Sequence, residues 1–435
     1  MERILKHDFT NPLMMMQKKE HKHIISLGNN QANWVANLYT AIKEKDASYI
    51  FDADDYYDLQ EANQKNTPFE NSYHFRKDYT LKKYFWKYTW FFFTKRFLIP
   101  YRFIKAIGIK KQLLDFISIY FNGYITQQEF LSNKNYDIYH FHFLKFTYIK
   151  QLLFLPPTKK VIITIWGSDL LRSKSVIEFY FQQKALERAD VITLQNEEMR
   201  ELVLAKFGRQ LKPKIKEALF LMNEAMLKIV DELRLSREEI NDYKKETLHC
   251  LKNQKIVMIG HNANPFNNHL EIIHQLTSLP KSNKKEVTFV FLMTYGNKEK
   301  VNYAKQIAIA CKVAGLNFHL ITDFLTPKNL ALLKLSTDVF IHLPESDAMS
   351  GTLLEAAYAG NKVITGSWLP YKKFKQCGMI YQEINNFNQL PAELMLALEN
   401  PISDSVVGQN RRSIQDTFFK EVVIQNWIAI YNSLL

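Results

Sequence analysis

A chain of 435 residues with 47% hydrophobic content is too long for one ordinary core and predicts two globular domains. Its 57 Lys and Arg against 44 Asp and Glu give a net charge of +13, which implies an anionic partner without choosing among nucleic acid, phospholipid and a phosphorylated small molecule. Three scattered cysteines, Cys250, Cys311 and Cys377, argue against a disulfide framework or a zinc site and fit a reducing cytoplasm, and no apolar run is long enough to span a membrane.

The N-terminal stretch from Met1 to Lys19 is charged and has no continuous apolar core, so no secretory signal is expected, and Met1 to Leu13 reads as a dispensable arm. His23-Ile-Ile-Ser-Leu-Gly28 predicts a first strand, Asn29 to Asn33 a polar loop, and Trp34 to Lys43 a helix. Gly28, Asn29 and Asn30 therefore occupy a strand-to-helix turn that should face the interdomain cleft. Asp52-Ala-Asp-Asp55 is expected in a polar loop, and residues 44–130 match no nameable pattern.

Between Arg76 and Lys111 there are eleven Lys and Arg against one acid, Asp78, mixed with aromatics such as Tyr84, Trp86, Trp90, Phe93 and Phe97. Rings at headgroup depth with cations on anionic lipid would explain that mixture, and Lys82, Lys83, Trp86, Trp90, Lys95 and Arg96 are the expected membrane-facing residues. The competing explanation is an ordinary core segment. Nucleic acid is not an expected partner, because nothing else in the chain supports it.

A helix around Lys111 to Tyr120 is followed by strands at Tyr136 to His142 and Lys160 to Trp166. His140 and His142 share one strand face, an arrangement more often packed than catalytic. In Ile165-Trp-Gly-Ser-Asp169, Gly167 allows close approach at a strand end, while Asp169 either orients an acceptor hydroxyl or caps the next helix. A helix to Ala189, a strand at Asp190 to Leu194 and a helix from Glu197 to Lys206 continue the alternation, which implies a mostly parallel sheet covered on both faces. The expected division is a first domain over 1–210, a helical linker over 211–252, a second domain over 253–414, and a C-terminal helix over 415–435 packing back on the first domain.

The second series opens with Ile256 to Gly260 and the turn Gly260-His-Asn-Ala-Asn-Pro-Phe-Asn-Asn-His269, suited to a diphosphate, with His261, Asn262, Asn267 and His269 as donors. Further strands are expected at Val287 to Leu292, Phe318 to Thr322, Val339 to Leu343 and Lys362 to Thr365. The segment Asp347-Ala-Met-Ser-Gly-Thr-Leu-Leu-Glu355 joins a strand to a helix. Its N–H groups around Ser350, Gly351 and Thr352 form an anion site, flanked by Asp347 for sugar hydroxyls and Glu355 for a ribose diol.

The acidic residue, seven others and a Glu, together with Leu335 to Pro344, Leu353-Leu-Glu-Ala-Ala and Gly360-Asn-Lys-Val-Ile-Thr, resemble retaining GT-B glycosyltransferases, especially glycosyltransferase family 4. The turn after Gly260 lacks the Arg and Lys usual in that family. With its Asn-x-His, and with Trp166-Gly167 in place of His-Gly, it resembles family 56, the bacterial 4-acetamido-4,6-dideoxygalactose transferases. The resemblance implies an α/β fold, GT-B, of two Rossmann-like domains facing across a cleft. The implied function is transfer from a nucleotide diphosphate sugar to a lipid-linked or growing surface glycan, at the inner face of a membrane. Asp347 and Asp169 would be the catalytic candidates and Gly28, Asn29, Asn30, His142, Trp166 and Gly167 would lie on the acceptor side. No cofactor or metal is expected, since no DxD-like pair sits near the donor motif. Sugar-nucleotide epimerases and inactive binding proteins of the same fold are the alternatives.

Overall fold

The structure is a computed structural model that describes residues 21–30, 32–54, 67–106, 110–173, 175–250 and 254–435; the N-terminal arm and Asp55 lie outside them. Seven parallel strands form the first sheet: β1 (Lys22–Gly28), β2 (Tyr49–Asp54), β3 (Phe69–Tyr73), β4 (Ile138–His142), β5 (Lys160–Thr164), β6 (Val191–Leu194) and β7 (Ile215–Glu217), in the order β3-β2-β1-β4-β5-β6-β7. Six more form the second: β8 (Lys255–Ile259), β9 (Val287–Leu292), β10 (Phe318–Ile321), β11 (Val339–His342), β12 (Lys362–Gly366) and β13 (Gln382–Ile384), in the order β10-β9-β8-β11-β12-β13. Each sheet thus changes winding direction beside its first strand, where ligands of doubly wound folds bind.

Continuous apolar runs make these strands because both sheet faces are covered by helices. Ile25, Leu27, Phe141 and Ile163 enter one core of the first domain, while their neighbours Ile24, Ile138 and Ile162 enter the other. The second domain repeats the pattern with Met258 and Phe340 on one face and Val257, Ile259 and Ile341 on the other.

Two expectations need correction. Asp52 and Asp54 are buried in β2, not in a loop; Asp52 is held there by the Tyr136 hydroxyl at 2.7 Å and by the Asn71 amide groups at 2.8 and 3.1 Å. The expected linker is divided between the domains. Its β7 completes the first sheet, and its helix Glu224–Leu233 puts Met226, Leu227, Val230 and Leu233 into the second core. The last helix, Lys420–Asn432, lies on the first domain, where Trp427 is fully buried and donates through Nε1 to the Leu219 carbonyl at 2.8 Å.

The basic aromatic segment is half core and half surface. Phe91 stacks on Tyr124 with ring centroids 4.0 Å apart and Phe97 is buried, whereas Trp86, Trp90, Phe93 and Ile99 are exposed. No helix among the described residues is long and apolar enough to cross a membrane.

Candidate functional site between the two sheets

A cavity of about 260 Å³ lies where the carboxyl ends of the two sheets face each other. Trp34, Trp166, Ser168, Arg172 and Phe220 line it from the first domain, and His261, Asn262, Asn264, Phe266, Asn267, Ser346 and Asp347 from the second. The sequence candidates Trp166, His261, Asn262, Asn267 and Asp347 are thereby brought together across 181 positions of chain, as counted from Trp166 to Asp347.

Asp347 is fixed by its own domain. Its Oδ2 accepts from the Tyr371 hydroxyl at 2.9 Å and faces His342 Nε2 at 3.4 Å, while Oδ1 accepts from the Ala348 amide at 2.8 Å. Burial pushes the carboxyl up, but the His342 and Tyr371 contacts outweigh it and hold Asp347 below the usual carboxylate range, so it is an anion at neutral pH. His342, at the end of β11, also meets the Tyr371 hydroxyl at 3.0 Å.

Gly260 ends β8 with φ +66°, and a Cβ there would lie 2.5 Å from His269 Nε2. His269 therefore sits under the turn, fully buried, with burial lowering its pKa to about 4, and it does not line the cavity. The asparagines shape the turn from within: Asn267 Nδ2 donates to Asn262 Oδ1 at 2.9 Å and to the Asn264 carbonyl at 3.1 Å, and the Asn264 amide donates to Asn262 Oδ1 at 2.9 Å. His261 reaches the cavity with its pKa lowered to about 3, by burial first and then by His342, whose ring is 5.6 Å away. It is therefore a neutral ring at physiological pH.

Ser350 caps the helix Gly351–Ala359, its hydroxyl accepting from the Leu353 amide at 3.1 Å. The space in front of Gly351 is open, as an approaching anion requires. Ser350, Gly351, Thr352 and Glu355 lie beyond the cavity rather than in its lining. Glu355 forms an ion pair of 3.0 Å with Lys334, which is almost wholly buried on the helix Pro327–Ser336. The Gly260 turn itself carries no Lys or Arg, and the buried cation Lys334 serves Glu355 instead.

The first-domain crevice is filled. Gly28 has φ +109° and donates to Asp54 Oδ1 at 2.8 Å, the Asn29 amide bonds the His142 carbonyl at 3.1 Å, and Asn30 is buried with its Nδ2 on the Asp54 and Ser26 carbonyls. His142 is buried behind Trp34 and Trp166, meets the Tyr39 hydroxyl at 2.7 Å and has its pKa lowered to about 3 by burial. None of Gly28, Asn29, Asn30 and His142 lines the cavity. The aromatic wall does: Trp34 stacks on Phe220 with centroids 3.7 Å apart and meets Trp166 edge-on at 4.9 Å.

Asp169 is occupied from within its own loop. Buried at 3% exposure, it accepts from the amides of Leu144 at 2.6 Å, Gly167 at 2.8 Å, Trp166 at 3.1 Å and Leu170 at 3.1 Å. These bonds make it shape the turn that carries Trp166. Gly167, with φ +117°, packs so closely on the other domain that a Cβ would lie 2.4 Å from the Ala348 Cβ.

Sequence reading missed Arg172, Trp34, Phe220, His342, Tyr371 and Lys334. Arg172 crosses the gap to donate to the Ser346 hydroxyl at 3.0 Å and its carbonyl at 2.7 Å, with its guanidinium 4.6 Å from the Phe266 ring centre. Asn196 reaches across as well, donating to the carbonyls of Ala348 at 2.7 Å and Pro370 at 3.1 Å. Only His342 left a sequence signal, since β11 ends in a histidine just as β4 does.

No protein-family model matches the chain, and no curated protein sequence matches it significantly. Solved structures do. A glycosyltransferase from Rickettsia africae superposes with a TM-score of 0.67 at 11% identity, covering 95% of this chain and 98% of its own. Sucrose-phosphate synthase from Thermosynechococcus elongatus gives 0.65 at 12% identity over 95% and 99%, and an Anabaena protein solved with UDP and glucose gives 0.62 at 12% over 95% and 100%. With its two facing parallel sheets and a cleft between their carboxyl ends, the chain has the two-domain, Rossmann-like GT-B fold.

Proposed function

We propose that this chain is a glycosyltransferase that moves one sugar from a nucleotide diphosphate sugar to a lipid-linked or growing surface glycan at the cytoplasmic face of a membrane. The observation that carries the reading is the anchored Asp347 carboxylate, which enters the cleft opposite an aromatic wall and beside the Gly260 turn. Neighbours of the same fold that are glycosyltransferases, one of them solved with UDP and glucose, support it.

In this reading Asp347 accepts from donor-sugar hydroxyls and Glu355, with its charge offset by Lys334, accepts from the ribose diol. The diphosphate rests between the Gly260 turn and the N-terminus of the helix at Gly351. As the bond from C1 to the diphosphate oxygen breaks, its electron pair leaves with the diphosphate. Amides already aimed at that position stabilise the developing charge without reorganising. Arg172 brings the cation that the Gly260 turn lacks. The acceptor hydroxyl oxygen then bonds to C1 and gives its proton to the departing diphosphate oxygen, with the acceptor ring against Trp34, Trp166 and Phe220. The family 4 likeness favours retention of configuration, and the lack of a DxD-like pair near the donor motif favours turnover without a divalent metal. Anomer-resolved product analysis and turnover in chelator test these two points.

Thermal shift against UDP, dTDP, GDP and CMP, followed by donor hydrolysis with the stabilising nucleotide, tests the donor site. Glu355→Ala should lose donor binding and turnover with the protein still folded, and unchanged turnover would sink the assignment. For the membrane face, replacing Lys82, Lys83, Lys95 and Arg96 with Glu should abolish sedimentation with anionic liposomes. An acceptor-independent isomerised product would favour an epimerase instead.

A further inference from the structure

A second cavity, of about 310 Å³, lies on the first domain under the exposed aromatic segment and apart from the cleft. Its floor is apolar, from Pro100, Leu152, Leu155 and Phe181, with Ile99 exposed at its edge, and its lining also carries Lys95, Arg96, Lys184 and Arg188. Lys184 pairs with Glu187 at 3.0 Å and Arg188 with Asp190 at 3.6 Å, but Lys95 and Arg96 have no ion pair among the described residues. Arg188 Nε is buried without a hydrogen-bond partner there. The free charge therefore sits on the rim made by the helix Lys95–Ala106, directly above an apolar floor.

The cavity is built into the fold. Pro100 has no N–H for the Arg96 carbonyl one turn earlier, and the Tyr120 hydroxyl takes that place at 3.0 Å. Tyr120 itself lines the cavity, so it ties this helix to the cavity wall. Trp86, Trp90 and Phe93 are exposed on the turn that immediately precedes this helix in the chain.

Cations over an apolar floor match one ligand chemistry: a phosphate diester with hydrocarbon attached. A free phosphate has no use for the floor, and a neutral apolar ligand has none for the rim. We infer that this cavity binds the headgroup and first acyl carbons of an anionic phospholipid, giving the proposed membrane face a defined lipid site. The inference rests on that membrane reading.

The test uses the full chain and dihexanoyl phosphatidylglycerol below its micelle concentration, followed by titration calorimetry. Saturable one-to-one binding is expected, with inorganic phosphate and dihexanoyl phosphatidylcholine each about tenfold weaker or more, the loss that follows when either the floor or the net charge is unused. Arg96→Gln and Lys95→Gln should each weaken binding about fivefold, the size of one cation beside an anionic lipid, with circular dichroism unchanged. Leu155→Asp should remove binding by charging the floor, and Ile99→Asp should weaken it by charging the apolar edge. Phosphate binding as tightly as the lipid, or no saturable lipid binding, would overturn the site.

Vesicle sedimentation separates this site from the membrane reading. A triple Ser variant of Trp86, Trp90 and Phe93 should lose sedimentation yet keep monomeric lipid binding. Wild-type protein that binds monomeric lipid but never sediments keeps the cavity and refutes the membrane face. Sedimentation without monomeric lipid binding does the reverse.

Discussion

The two sheets have the same winding, and in each a glycine of positive φ closes or directly follows the first strand, Gly28 or Gly260, and the fourth ends in a histidine, His142 or His342. Their crevices nevertheless differ. In the first, Asn30, Asp54 and Tyr39, with Tyr431 from the last helix on His140 Nδ1 at 2.7 Å, fill the space with protein. In the second, the histidine helps hold a carboxylate that projects into an open cavity. Topology thus offers two sites, and side-chain filling decides which one faces a ligand. The filled crevice becomes the stiff backing of the aromatic wall.

Four experiments can break or sharpen this contrast. The largest effect is expected from Trp427→Ala, which empties the packing behind the first crevice and should cost about 3–5 kcal/mol in denaturant unfolding. A change below about 1 kcal/mol would mean that the last helix is not part of that filling. Asp347→Asn should do the opposite, lowering turnover about 10²–10³-fold, as expected for loss of a preorganised electrostatic group, with little change in melting. A large fall in melting temperature with turnover intact would make the second crevice structural too.

The paired variants Tyr39→Phe and Tyr371→Phe compare the two histidine partners directly. Tyr39→Phe leaves His142 Nε2 buried and unpaired and should cost about 1–3 kcal/mol of stability. Tyr371→Phe should mainly lower turnover, about tenfold, by releasing Asp347. Equal stability losses for both would erase the distinction.

The smallest effect is a pH slope. His142 and His261, with pKa values lowered to about 3, and His269, at about 4, bind protons more readily when unfolded, so the stability they contribute is present above about 6.5 and is lost as pH falls toward 4 and 3. His142→Asn should flatten the acid limb of a melting-temperature profile, and an unchanged limb would place the titration elsewhere.

Much of this was legible in the chain. The strands at His23 to Gly28, Ile256 to Gly260 and Val339 to Leu343 are continuous apolar runs, and Gly167, Gly260 and the Asp347 segment announced themselves by turn chemistry. β2 was not legible, because Asp52 and Asp54 look solvated until Tyr136, Asn71, Gly28 and Asn30 arrive from other elements to satisfy them. Arg172, Lys334 and Tyr371 were hidden for the same reason. Each acts on a residue of another element, and only the assembled sheets bring the partners within hydrogen-bonding distance. His269 misled because a histidine two residues past an asparagine looks like a ligand donor, whereas its ring is needed beneath Gly260.

Ala348, next to Asp347, is gripped from the other domain by Asn196 and packs on Gly167. Domain position and carboxylate position are therefore one mechanical variable. Free energy spent on moving the first domain is felt at Asp347, and reciprocity requires the converse. If an acceptor seated on the aromatic wall tightens the donor site by some factor, the donor must tighten acceptor binding by that same factor. Under the proposed function, two substrates coupled in this way bind as a cooperative pair with no contact between them required.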